Sequence, residues 1–176
     1  MTAANESTST ARFLRALGVP DLPPATFPFD PGYDPVFVAA HVEQSARYMA
    51  ALKLSMATWL VADPGATRRK IDAARRAGVA VITGGGPFEM AAASGRLVEY
   101  LDLCAGLGFS GIEAGAGFTD LDLDPTAVLT QAGERGLGVQ YEVGKKQGGE
   151  FTAAGVQELV DEGARWRDAG ASRIVV

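Results

Sequence analysis

Lys53, Glu113, Glu142 and Lys146 lie in or just after short apolar segments, and the run Gly84-Gly85-Gly86 follows another. A lysine so placed holds a phosphate or carboxylate, or delivers a proton once its pKa is lowered. Glutamates so placed can carry Mg2+ in a partly hydrated site. The amides of a glycine run can approach a phosphate. This run lacks the Lys-Ser/Thr tail of a P-loop and the spacing of a dinucleotide fingerprint, and a tight turn accounts for it equally well. The bland reading of any one of these charges is a solvated loop residue. It is weaker for Glu113 and Glu142, because a charge within an apolar strand needs a partner. An internal ion-pair network with Lys53 and Lys146 is the structural alternative.

These residues need elements to position them. Four times a helix-like stretch ends in glycine and runs into a β-rich segment: Ala73 to Gly78 then Val79 to Ile82, Ala105 to Gly108 then Phe109 to Ile112, Glu134 to Gly136 then Leu137 to Tyr141, and Asp168 to Gly170 then Ala171 to Val176. Glycine past a helix end accommodates the left-handed cap. The repeat is about 30 residues, the size of a βα unit. An earlier helix, Val36 to Ala51, is expected to lead into Leu52-Lys53-Leu54 without a glycine. Asp63-Pro64, Asp124-Pro125 and Thr152 read as helix starts, the last opening a helix with Val156, Leu159 and Val160 on its apolar side. A parallel sheet follows. Periodicity leaves a barrel and a doubly wound sheet both open.

In either fold, function sits at the carboxyl ends of the strands. Those ends carry Lys53, Ser55 and Thr58, then Thr83, the glycine run and Glu89, then Glu113, and finally Gln140, Glu142, Gly144, Lys145 and Lys146. If the last strand stays extended, Gln140, Glu142, Gly144 and Lys146 share one side and Lys145 points the other way.

Residues 1–24 read as an N-terminal tail or arm. Within Pro20 to Pro35, Ala25 to Phe29 is expected as an irregular first strand. Residues 25–176 form the α/β domain. The chain has 176 residues and a net charge of −5, which argues against nucleic-acid binding by phosphate neutralisation. No apolar run approaches a membrane span of roughly 18 residues. The one cysteine, Cys104, reads as a small core residue, and a cytoplasmic location is expected. The one histidine, His41, lies mid-helix, which disfavours a His-based triad or zinc site.

The run Gly84 to Glu89, then Gly95 to Leu101, Leu107 to Glu113, and Glu142-Val143-Gly144-Lys145-Lys146 resembles the phosphosulfolactate synthase family from about Phe27 onward. Lys53 and Thr58 match the family's Lys-Phe-Gly-Trp-Gly-Thr motif. The resemblance implies a TIM-type parallel β/α barrel and a Mg2+-dependent addition of sulfite to phosphoenolpyruvate, on the way to coenzyme M or sulfolactate. It implies Lys146, Lys53 and Glu142 as catalytic, and Lys53, Gly84, Gly85 and Lys145 as substrate-binding. Glu113 and Glu142 would hold the metal, and a homo-oligomer is expected.

The sequence also departs from the family. Asp-Lys-Gly reads Asp30-Pro31-Gly32, Phe-Gly-Trp-Gly reads Leu54 to Ala57, Gly-Gly-Thr-Leu reads Gly84 to Pro87, and Glu-Ile-Ser-Asp-Gly reads Glu113 to Gly117. A full barrel takes about 250 residues, so a barrel cut after about six strands is expected. The alternatives are a related lyase for another small anion, and a non-catalytic paralogue of the heat-stress-associated type.

Overall fold

The computed structural model describes residues 9–20, 25–145 and 152–176. Six strands form one sheet: β1 (Phe29–Asp30), β2 (Ala51–Leu54), β3 (Ala80–Thr83), β4 (Gly111–Gly115), β5 (Gly138–Glu142) and β6 (Arg173–Val175). All neighbours are parallel, and the spatial order is the chain order. A doubly wound sheet reverses its order at a switch point. Here it never reverses, so right-handed crossovers place the helices on one face. The sheet curls until the Arg173 guanidinium lies 4.1 Å over the Phe27 ring, joining the two ends of the sheet. This is a sector of a β/α barrel, and the tie between the two folds is resolved.

Strand alternation divides the sheet. Leu52, Leu54, Val81, Ile112, Ala114, Val139 and Tyr141 face the helices and are buried in the core. The opposite, inner face carries Lys53, Ile82, Glu113, Gln140, Glu142 and Arg173. Gly111 is fixed by backbone approach, since a Cβ there would stand 2.7 Å from the Gly138 carbonyl oxygen.

The helices are α1 (Ser9–Ala16), α2 (Pro35–Ser45), α3 (Thr58–Val61), α4 (Pro64–Arg76), α5 (Gly85–Ala93), α6 (Leu97–Leu107), α7 (Pro125–Gly133) and α8 (Ala153–Ala169). Asp34, Asp63 and Asp124 each cap a helix that begins with proline, and Thr152 caps α8. The side chains accept the orphan N–H groups of the first turn. Among the described residues no helix is long and apolar enough to cross a membrane.

Some sequence expectations are corrected. The helix expected over Val36 to Ala51 stops at Ser45 and gives way to a 3-10 turn, Ala46–Tyr48. The chain there is already pairing: Thr26 N–H donates to the Tyr48 carbonyl and Ala50 N–H to the Thr26 carbonyl. The apolar side expected for α8 also differs. Val156 and Val160 are exposed, whereas Gly163 and Trp166 are buried, and the Trp166 ring stacks 4.0 Å from Tyr141. The glycine run is no turn, because Gly84 caps α5 and Gly85 begins it.

Candidate active site

Three strands bring their inward side chains together at one point. Glu113 of β4 is 1% exposed. Its Oε1 accepts from Lys53 Nζ of β2 at 2.7 Å and from the Gly85 N–H at 3.1 Å. Its Oε2 accepts from Lys53 Nζ at 2.8 Å and from Gln140 Nε2 of β5 at 2.7 Å. The register aligns Glu113 with Gln140 directly, so the amide meets the carboxylate without a long reach. A buried carboxylate is tolerable only with such partners. The Lys53 side chain remains 23% exposed.

A second cluster shapes the segment after β4. Glu89 of α5 is buried, and its Oε2 accepts from Phe118 N–H at 2.8 Å, Thr119 N–H at 3.1 Å and Thr119 Oγ1 at 3.0 Å. Lys145 Nζ holds the same residue from the other side, donating to the Thr119 carbonyl and to Asp120 Oδ1, each at 2.6 Å. That hydrogen bond, and then the charge of Lys145, hold the Asp120 carboxyl below its ordinary value. A cavity of about 450 Å3 lies beside this segment, lined by Ala116, Asp120, Gly144, Lys145, Leu159 and Glu162 among others.

Of the residues singled out in the sequence, Lys53, Glu113 and Gln140 converge. Glu142 is half-buried on the same inner face, opposite Gly115. Gly84 and Gly85 adjoin the cluster, but their amides already donate to the Leu54 carbonyl and to Glu113. Neither is left to cradle a phosphate. Lys145 is engaged with the Thr119 segment, and Lys146 lies outside the described residues. Thr83 turns to the helix side, where its Oγ1 accepts from the Tyr100 hydroxyl at 2.8 Å. Thr119, Glu89's partner, was not singled out from the sequence, where nothing distinguishes Phe118-Thr119-Asp120 from any polar connection.

The magnesium ion implied by the resemblance does not fit at Glu113. Both oxygens are fully engaged, and one partner is an ammonium that a dication would repel. Among the described residues no three His, Cys, Asp or Glu side chains gather to hold a metal.

The sequence profile described as ComA, (2R)-phospho-3-sulfolactate synthase, matches residues 24–176. The chain belongs to the phosphosulfolactate synthase family. A phosphosulfolactate synthase of Methanocaldococcus jannaschii is 32% identical over 122 residues, which cover 69% of this chain and 49% of that protein. The chain thus spans about half the length of this family member.

Solved structures agree on the fold alone. A protein assigned as a phosphonomutase from Burkholderia cenocepacia J2315 superposes with a TM-score of 0.58 at 12% identity, covering 86% of this chain and 68% of that one. D-psicose 3-epimerase, solved with D-fructose, superposes with a TM-score of 0.51 at 11% identity, covering 84% and 61%. In this chain of the phosphosulfolactate synthase family, a lysine of β2 is fixed by a buried glutamate of β4.

Proposed function

We propose that this chain performs the phosphosulfolactate synthase reaction, the addition of sulfite to phosphoenolpyruvate. One observation carries the reading: in a chain of this family, Lys53 reaches the mouth of the barrel sector with its ammonium held on buried Glu113. The sulfite sulfur attacks the terminal CH2 carbon, and a C–S bond forms. The π pair moves to the phosphate-bearing carbon and delocalises into the carboxylate. A proton then adds to that carbon, and the phosphate ester stays intact.

Lys53 is suited to hold the phosphate or carboxylate and to offset the negative charge that develops during attack. Lys146 is the proton donor in this reading. Glu113, with both oxygens engaged, is not a metal ligand in this reading. The product would feed coenzyme M or sulfolactate formation in the cytoplasm.

The test is incubation with phosphoenolpyruvate and sulfite, with Mg2+ in the buffer, followed by phosphorus NMR. A new phosphate-ester resonance that requires sulfite is expected. Its absence, in protein whose Lys53 still binds phosphate, sinks the reading.

A further inference from the structure

We infer that Glu113 is not a metal ligand but the positioning residue of an anion site, whose ligand-contacting group is Lys53. This deepens the function proposed above, and it rests on that function only for the identity of the anion.

A carboxylate offers about four lone-pair sites. Glu113 has filled them with two contacts to Lys53 Nζ, one to Gly85 N–H and one to Gln140 Nε2. The two partners differ sharply in access, with 1% of the Glu113 side chain exposed against 23% of Lys53. Lys53 Nζ lies 2.7 and 2.8 Å from the two Glu113 oxygens, chelated by one carboxylate. Among the described residues no acceptor other than Glu113 meets this ammonium, which leaves donor capacity on its exposed side. A lysine ammonium is a compact point charge suited to phosphate. Fixed in this way, it gives up little rotamer freedom when a ligand arrives.

The surroundings make the same division of labour. The Gly85 amide belongs to the N-terminus of α5, whose partial positive charge favours a nearby anion. Glu113 fills that role, so the helix end stabilises the buried carboxylate and leaves the incoming anion to Lys53. Gln140 keeps the carboxylate from turning toward the mouth. The ligand class is a small phosphate ester or carboxylate approaching from the exposed side of Lys53.

Three readouts test this on the whole chain. First, the Lys53 ammonium protons, followed by nitrogen-15 NMR, exchange slowly in the wild type and at surface-lysine rates in Glu113→Gln. The double variant Glu113→Gln/Gln140→Glu, which moves the carboxylate one strand over, restores slow exchange. Second, Lys53→Met weakens inorganic phosphate binding at least tenfold by calorimetry. Third, Mn2+ affinity measured by electron paramagnetic resonance is the same within threefold in wild type and Glu113→Gln, or absent from both. Unchanged proton exchange in Glu113→Gln, unchanged phosphate affinity in Lys53→Met, or a tenfold loss of Mn2+ affinity in Glu113→Gln would each overturn the inference. Wild-type protein that binds no phosphate overturns it too. If Glu113→Gln does not fold, the double variant and Lys53→Met carry the test. Phosphate binding through Lys53 without product from phosphoenolpyruvate and sulfite removes the proposed reaction and leaves the inference standing.

Discussion

Lys70 of α4 reaches Asp30 at the tip of β1, with Nζ 2.6 Å from Oδ2 and both side chains under 10% exposed. The Asp30 Oδ1 also accepts the Gly32 and Tyr33 N–H groups. This pair fixes the first turn of the sector to the helix layer. Removing one partner leaves a buried charge unpaired, which costs about 3–5 kcal/mol. Lys70→Met should destabilise by that amount in urea unfolding, and Asp30→Asn/Lys70→Met should recover a large part of it. Equal loss in both variants would refute the argument.

Glu89→Ala strips the acceptor from two backbone N–H groups and a hydroxyl. These contacts are only part-buried, so water replaces part of what Glu89 supplies and the loss falls below the about 1–3 kcal/mol of a fully buried orphaned donor. The Phe118 and Thr119 amides should exchange with solvent deuterium at least tenfold faster, while amides of β4 keep their protection. Uniform acceleration across both would mean global destabilisation instead.

The Asp120 carboxyl sits below its ordinary value because Lys145 donates to it. A depressed acid contributes its full share above the unfolded value, about 3.9, and loses it as pH falls through the lower folded value. The contact to Lys145 should therefore persist across neutral pH and break only in strong acid. Lys145→Ala should raise the Asp120 midpoint toward the ordinary range in a carboxyl NMR titration. A midpoint that stays put would separate the two groups.

Burial pushes the Cys104 thiol from an ordinary 9.0 up to about 12. Since the thiolate is the nucleophile, native protein should resist a disulfide reagent at pH 8 and react only after unfolding. The raised value makes the neutral form the folded one. Stability is fully present below pH 9 and declines as pH climbs toward 12. Rapid native-state labelling would contradict the buried placement.

Gly111→Ala would press a methyl group against the Gly138 carbonyl at 2.7 Å. β4 and β5 must then separate where they carry Glu113 and Gln140. A loss of about 2–3 kcal/mol is expected, with phosphate affinity falling in parallel. Gly133→Ala, where nothing stands within 4 Å, is the control and should be near neutral.

The repeating βα pattern was legible because glycine caps and Asp-Pro starts are local signals, and the cap at Gly108 is left-handed at φ 95° as its type suggests. The end of α2 was not legible, since no glycine marks it and the stop comes from pairing with Thr26, distant in sequence. The convergence of Lys53 and Glu113 was foreseen as an ion pair, one of two readings. The full engagement of both Glu113 oxygens was not legible, because it depends on the Gln140 register and the Gly85 amide. Lys70 follows Arg68 and Arg69, with no local signal to set it apart from them. Only the helix packing reveals that it is buried against Asp30.

Sequential strand order has a kinetic consequence. Each strand is zipped to its chain neighbours, and two-residue β1 offers the fewest backbone bonds to break. Local openings of this kind cost less than global unfolding. Lys53 lies on β2, the strand that β1 pairs with, opposite Phe29. Opening of β1 therefore loosens Glu113's partner Lys53 before it reaches Glu113 itself.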